Sequence, residues 1–451
     1  MRRTEVAGSW IFGVCLLLLA AVPGLQAAES WKAGVSRIDI TPSEPTWMAG
    51  YASRTKPSEG VRQRLYAKAL ALEDSAGIVS VLLTADLAGF RRDVSQLIVA
   101  RVTAKYRLPR ERLVLNSSHT HSGPVTTVGR YSTYPMNDEH KAAVLRYQAQ
   151  LVDKVVEVIG AALESREPAT LSYEQGFAGF AVNRRRVGHR EYPGPTDHDV
   201  PVLAVKKADG ALLAIAFGYA CHATVLSDYQ INADWPGYAQ EAVETRHPGA
   251  VAMFVNGCGA DQNPLPRRLV ELAQRYGDTI SIAVEEVLKG KMRTLGGPLR
   301  ALYEETPLPF RVPTKAELTG RLNNENVRVR EHAERLLAIL DKGGELMKEY
   351  PYPVQVWQFG KDLTFIALGG EVVVDYSLRF KKTYGWEDTW VSGYNNDVFS
   401  YVPSLRVLNE GGYEGGGAML FGTLPGPFRA TVEETIAEKV DEFVKRTGGA
   451  K

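Results

Sequence analysis

The chain holds eight histidines among 451 residues, so each one bears on where chemistry can occur. His119 and His121 stand two apart in the run Asn116-Ser117-Ser118-His119-Thr120-His121-Ser122-Gly123-Pro124, directly after the apolar stretch 113–115. His222 follows the apolar stretch 212–219, and Glu371 follows 363–368 through Gly369-Gly370. Neutral imidazole and carboxylate are suitable zinc ligands, and a catalytic zinc keeps one position open for water. Residues two apart face the same way in an extended chain, but the backbone can turn just past a strand end. His119 and His121 therefore need not hold the same ion; one can coordinate while the other holds a water or a substrate oxygen. Taken singly, a histidine after a strand is more often a hydrogen-bonded turn residue. His140, His189, His198 and His247 sit in polar or helical settings and carry less information. Asp261 ends the run Asn256-Gly257-Cys258-Gly259-Ala260-Asp261, where a carboxylate either orients a ligand or water, or caps a turn. Asp234 is expected to support a site rather than perform chemistry. The run Arg184-Arg185-Arg186 reads by itself as a solvated turn.

These residues need elements to position them. Alternation and β-branched residues predict strands at 31–40, 78–85, 113–115, 202–205, 212–219, 251–255, 354–359, 363–368 and 390–394. Helical periodicity predicts helices after Asp93, which is expected to cap the first, and at 139–163, 236–245, 267–288, 325–348, 372–382 and 430–445. The stretch 289–314 reads as irregular. Strands alternating with helices argue for an α/β core. Hairpin-like pairs at 202–219 and 354–368 make a layered, mixed-sheet arrangement a better expectation than a parallel barrel. No repeat or long linker divides the chain. One catalytic domain is expected over 29–451, with a partly helical excursion near 289–348.

Composition narrows the class. Hydrophobic residues make up 45% and charged residues 23%, the balance of an ordinary globular protein. The 53 basic and 52 acidic residues nearly cancel, so no whole-chain field draws the protein to nucleic acid, and no nucleic-acid partner is expected. Arg2 and Arg3, the apolar stretch 10–22 and Leu25-Gln26-Ala27-Ala28 read as a signal peptide over 1–28. The apolar stretch is short for a membrane span, which takes about 20 residues. The expectation is an exported protein, periplasmic or secreted. Beyond the signal, Cys221 and Cys258 remain, and they can either pair or stand as buried thiols.

Read together, the segments resemble the neutral/alkaline, non-lysosomal ceramidase family over nearly the whole chain from Trp31. The resemblance rests on Gly50-Tyr51-Ala52, Arg64-Leu65-Tyr66-Ala67-Lys68-Ala69, the run from Asn116 to Pro124, Asn183-Arg184 and Ala220-Cys221-His222. It continues through Ala233-Asp234-Trp235-Pro236-Gly237, Asp261, Pro264, Gly370-Glu371, Tyr401-Val402-Pro403 and Tyr413-Glu414-Gly415, in family order. The resemblance implies the family's N-terminal fold and one zinc ion per chain, held by His119, His222, Glu371 and Tyr401. Tyrosine is an uncommon zinc ligand, and only the resemblance brings in Tyr401. His121, Arg184 and Tyr413 match residues around the attacked carbonyl, with Asp261 beside them. The implied chemistry is hydrolysis of a linear amide by metal-activated water. Tyr413, with Arg184 or His121, would stabilise the charge on the carbonyl oxygen. His121 is the preferred proton shuttle.

Two departures qualify the resemblance. Asn263 stands where the family commonly carries the serine of Gly-Asp-x-Ser-Pro-Asn, and an amide cannot supply an alkoxide nucleophile. A serine-acyl route at that position is thereby excluded, and Asn263, with Arg184, is expected to bind substrate. The chain is also expected to lack the family's C-terminal immunoglobulin-like domain. The implied substrate is ceramide, another N-acyl lipid or a small amide, with transient contact at a membrane surface; the oligomeric state is not legible. Trp47, Tyr51, Phe90, Trp386 and Phe399 can line an apolar pocket, although core packing is the default for each. An esterase or lactonase using the same site is the nearest alternative, and an exported, non-catalytic ligand-binding protein is the other.

Overall fold

A computed structural model describes residues 31–128, 134–189 and 191–449, with positions 1, 4, 5 and 8. The expected signal over 1–28 lies largely outside the described residues. Among those residues, a nine-stranded mixed sheet runs in the order Val251–Asn256, Leu212–Tyr219, Asp199–Lys207, Glu167–Phe177, Trp31–Asp39, Tyr66–Glu73, Val79–Ala85 and Leu113–Ser117. The short strand Arg293–Thr294 pairs on Glu167–Phe177 beside that path. The outermost pair at each edge is parallel and the pairs between are antiparallel. A four-stranded sheet holds Leu299–Pro309, Glu349–Phe359, Leu363–Leu368 and Thr389–Ser392.

Period-two alternation decides how the sheets stack. Leu82, Val114, Leu203, Ala216 and Met253 on one face of the large sheet pack with Trp357, Phe365 and Trp390 of the small one. Their sequence neighbours Val81, Leu83, Leu113 and Leu115 turn outward onto the helices Arg92–Tyr106 and Asp138–Glu164. Farther along the same outer face, Ile215, Phe217 and Phe254 meet the helices Asp234–Arg246 and Val270–Lys289. The outer face of the small sheet, with Val354, Ile366 and Leu368, is covered by the helices Asp375–Tyr384 and Val432–Thr447. The architecture is helix, sheet, sheet, helix: the layered mixed α/β arrangement expected from the sequence.

The large sheet curls until its two edge strands meet. Asn256 N donates to Asn116 Oδ1 at 3.0 Å, and Asn256 Nδ2 to the Ser118 carbonyl at 3.2 Å. This closure brings together strand ends that lie far apart in the pairing order.

Several local expectations are corrected. The stretch read as irregular contains the eleven-residue strand Leu299–Pro309, at the edge of the small sheet. Prolines are tolerated on such an edge, and Pro307 and Pro309 obscure its alternation. Tyr66–Glu73 and Glu167–Phe177 are strands that local patterning did not predict. Asp93 is not the cap of the first helix; it lies in its first turn, where Thr127 Oγ1 donates to it at 3.0 Å. The excursion contains the helices Lys315–Arg321 and Val327–Asp341. Cys221 and Cys258 are both free and buried. Trp47, Phe90 and Phe399 are buried in packed clusters, whereas Trp386 is exposed.

Candidate metal centre

The site forms at the strand ends that closure gathers. His119 follows Leu113–Ser117, His222 follows Leu212–Tyr219, and Glu371 follows Leu363–Leu368. Tyr401 pairs directly with Glu371 in the short parallel ladder Glu371–Val372 and Tyr401–Val402. All four residues are buried.

Their donor atoms converge. His119 Nε2 lies 3.1 Å from Glu371 Oε2, and His222 Nε2 lies 3.5 Å from the same oxygen and 3.3 Å from the Tyr401 hydroxyl. Ligands about 2.0–2.1 Å from a tetrahedral zinc stand roughly 3.3–3.4 Å apart, so these separations fit such an ion. The far nitrogens are occupied: His119 Nδ1 lies 2.6 Å from the Ala88 carbonyl and His222 Nδ1 lies 2.7 Å from that of Gly259. A proton on Nδ1 satisfies each carbonyl and leaves the Nε2 lone pair facing the shared point, the usual outer support of a metal-bound histidine.

His121 faces the same space on different terms. Its Nε2 is 3.1 Å from His119 Nε2, and the three histidines form a group whose ligand atoms lie within 4.8 Å of one another. Its Nδ1, however, is buried without a protein partner. The ring rests edge-on against Tyr51 at 4.8 Å, over Gly50. A Cβ on Gly50 would stand 2.3 Å from that ring, and the backbone there is left-handed (φ 94°), so glycine is required on both counts.

Burial and neighbouring charge tune the cluster. Burial and then the adjacent His119 and His222 hold His121 well below the usual histidine value, favouring neutral imidazole. His222 is lowered to about 4, by burial and then by Arg184. Burial works to raise Glu371, but contacts with His119 and His222 outweigh it and keep the carboxylate ionised. Burial and then Glu371 push the Tyr401 phenol well above its ordinary value.

Arg184 closes one side. Its Nη1 lies 3.4 Å from His222 Nε2, and its Nε donates to Glu414 Oε1 at 2.6 Å. The Nη2 group is buried with no protein partner, an available donor beside the candidate metal ligands. Burial would lower its pKa, but Tyr401 and Glu414 outweigh that and keep it charged. Arg185 and Arg186 also pair with acids, at Glu414 and Glu410. The basic run is thus a paired and partly buried 3-10 turn, not a solvated one. Tyr413 is half-exposed; its ring lies 5.0 Å from that of Tyr401, with the Arg184 guanidinium 5.8 Å away.

Asp261 does not reach the cluster's imidazoles by any hydrogen bond among the described residues. It accepts from Asn183 Nδ2 at 2.9 Å and from Val374 N at 3.0 Å, and its carbonyl accepts from Arg184 N at 2.7 Å. It ties the Arg184 turn to the segment after Glu371. Asn263 pairs with Val182 in the short ladder Gln262–Pro264 against Ala181–Asn183, and its Oδ1 is buried without a protein partner. Asp234 accepts from the backbone of Val225, Leu226 and Trp235, and Trp235 Nε1 donates to the His222 carbonyl at 2.9 Å. Asp234 therefore holds the loop that carries His222.

Sequence reasoning missed Tyr394. Its ring packs 4.5 Å from that of His119, its N–H donates to the Gly370 carbonyl at 3.0 Å, and its buried hydroxyl has no protein partner. His119, Asp234, Tyr394 and Asn396 all have left-handed backbone (φ 57–63°), and strain of this kind collects at functional sites. The following Asn395-Asn396 was the available signal, since asparagine tolerates that conformation.

The family described as neutral/alkaline non-lysosomal ceramidase, N-terminal, matches residues 31–261. That span holds His119, His121, Arg184, His222 and Asp261, and ends before Glu371, Tyr401 and Tyr413. Neutral ceramidase of Pseudomonas aeruginosa is 26% identical over an alignment covering 92% of this chain and 72% of the relative. Neutral ceramidase of Drosophila pseudoobscura pseudoobscura is 32% identical over 119 residues, 25% of this chain and 16% of the relative. A crystal structure of the Pseudomonas aeruginosa neutral ceramidase superposes with a TM-score of 0.70 at 21% identity, covering 92% of this chain and 75% of that one. A ceramidase complexed with C2 gives 0.68 at 20% identity, covering 92% and 76%. The structural likeness establishes the shared fold.

Proposed function

The chain belongs to the neutral/alkaline non-lysosomal ceramidase family and is a ceramidase-like hydrolase; from that premise we propose that it cleaves the amide bond of ceramide or a related N-acyl lipid with one zinc ion. The observation that carries the metal assignment is the convergence of His119 Nε2, His222 Nε2, Glu371 Oε2 and the Tyr401 hydroxyl, with both imidazoles anchored through Nδ1. When bound there, zinc supplies Lewis acidity and lowers the pKa of water.

The protein's own groups do the rest. Arg184 donates through Nη2, which has no protein partner, to the charge that develops on the amide oxygen, with the half-exposed Tyr413 beside it. His121 Nε2 faces the reacting space, 3.1 Å from His119 Nε2, while its buried Nδ1 has no protein partner. It takes a proton from the attacking water and returns one to the departing amine. Asp261 and Asp234 act as positioning residues for Arg184 and His222. Asn263 lies one residue from Gln262, whose carbonyl accepts from His222 N, and is read as a contact for the substrate head group. No described helix is long and apolar enough to cross a membrane, and a lipid substrate calls for transient contact with its surface.

The test is fatty-acid release from ceramides of graded chain length, by the parent and His222→Ala side by side. Activity in the parent that vanishes on chelation, returns with zinc and is lost in the variant is the expected result. A folded, zinc-loaded parent that releases no fatty acid removes ceramide as the substrate.

A further inference from the structure

The helical excursion reaches the candidate site through a loop. The Val327–Asp341 helix lies against the segment that follows Tyr413. Arg335 Nε donates to the Gly422 carbonyl at 3.1 Å, and the same guanidinium donates through Nη2 to that of Leu420. The buried His332 places Nε2 2.8 Å from the Leu424 carbonyl. Arg328 sits over the Phe421 ring, 5.4 Å from its centroid. Phe421 then meets Tyr413 edge-on at 6.2 Å, and Tyr413 meets Tyr401 at 5.0 Å. Named contacts therefore run from this helix to a candidate metal ligand.

The intervening chain needs such a brace. Gly411, Gly412 and Gly416 have φ of 70°, 76° and 142°, and Gly415 and Gly417 stand beside them. Glycine loses the most conformational freedom on ordering, so the run's own bonds, from Gly417 N to the Gly412 carbonyl and from Ala418 N to that of Tyr413, are supplemented by anchors from outside. Its first half is anchored by Glu414 to Arg184 and Arg185. The segment just after it offers the carbonyls of Leu420, Gly422 and Leu424, all taken by the helix. A guanidinium presents several donors in a fixed plane, so Arg335 fixes two carbonyls at once.

We propose that Arg335 is a positioning residue for hydrolysis: through the 420–424 backbone it sets where Tyr413 stands over Tyr401, making the helical excursion the outer wall of the site. This rests on the reading that Tyr413 faces the reacting carbonyl. The zinc-loaded full chain is compared with Arg335→Ala and Tyr413→Phe for ceramide turnover, zinc content and amide hydrogen exchange. Arg335→Ala is expected to speed exchange across 411–424 by about tenfold while the Val432–Thr447 helix keeps its protection. Its kcat/KM is expected to fall by about tenfold, mostly in kcat, at unchanged zinc content. Arg335→Gln keeps one donor, is expected midway, and serves if the alanine variant does not fold. Unchanged exchange across 411–424 overturns the proposal. So does full turnover in Arg335→Ala when Tyr413→Phe is impaired. Full turnover in Tyr413→Phe instead overturns the reading of Tyr413, and this proposal with it.

Discussion

His119 and His222 each present one ring nitrogen to a backbone carbonyl, while His121 gives neither of its own to one. That difference separates two kinds of histidine in one group. The anchored pair has fixed tautomers and fixed lone pairs, as ligands need; the unanchored ring can gain and lose a proton. His121→Ala is therefore expected to keep one zinc per chain while kcat falls about 10²–10⁴-fold. Elemental analysis beside turnover checks this. Zinc lost along with activity would instead make His121 a ligand. Residue types and their places after apolar strands were legible in the chain, and the family resemblance implied this division of labour, but its physical basis was not legible. It depends on Ala88 and Gly259, whose carbonyls carry no signature in sequence.

At the scale of elements, the Arg184–Arg186 turn shows how charge can be misread locally. Three consecutive arginines look solvated because their partners, Glu410 and Glu414, lie more than two hundred residues away. Burial works to raise Glu410, but hydrogen bonds from Arg186, Arg185 and Arg406 outweigh it and bring it to about 2. A carboxylate lowered on folding binds fewer protons in the native state than when unfolded. Its stabilisation is therefore complete above about pH 4.5 and is lost as pH falls toward 2. Glu410→Gln is expected to flatten the fall in stability across that window, measured as urea midpoints at stepped pH. Equal slopes for parent and variant would refute the network's part in acid stability. The Leu299–Pro309 strand went unread for a related reason: an edge strand carrying prolines and glutamates draws its order from its partner, Glu349–Phe359, and not from its own pattern.

At the scale of the molecule, Asn116 joins three parts. It accepts from Asn256 across the closure of the large sheet and donates to Ser392 Oγ, the Gly393 carbonyl and Asn395 Oδ1 at and just past the end of the small one. Asn395 Nδ2 carries the network to the Leu368 carbonyl, three residues before Glu371. Asn116→Ala strands several fully buried polar groups and is expected to cost about 2–4 kcal/mol in urea unfolding. A loss under about 1 kcal/mol would show that apolar packing alone holds the strand ends together.

The sequence by itself determined the α/β layering, because strand and helix periodicities are local and each apolar face must find a partner. It also carried the donors to the ends of strands, and the ordered motifs marked which donors belong together. Only the tertiary structure decided that side-chain donors spread from His119 to Tyr401 converge on one point. The curl of the large sheet and the asparagine network set that geometry, and both sum contacts between segments far apart in the chain. Tyr394 and the brace from Arg335 were decided at the same level. Each acts through backbone groups of another segment, and any residue type can supply those.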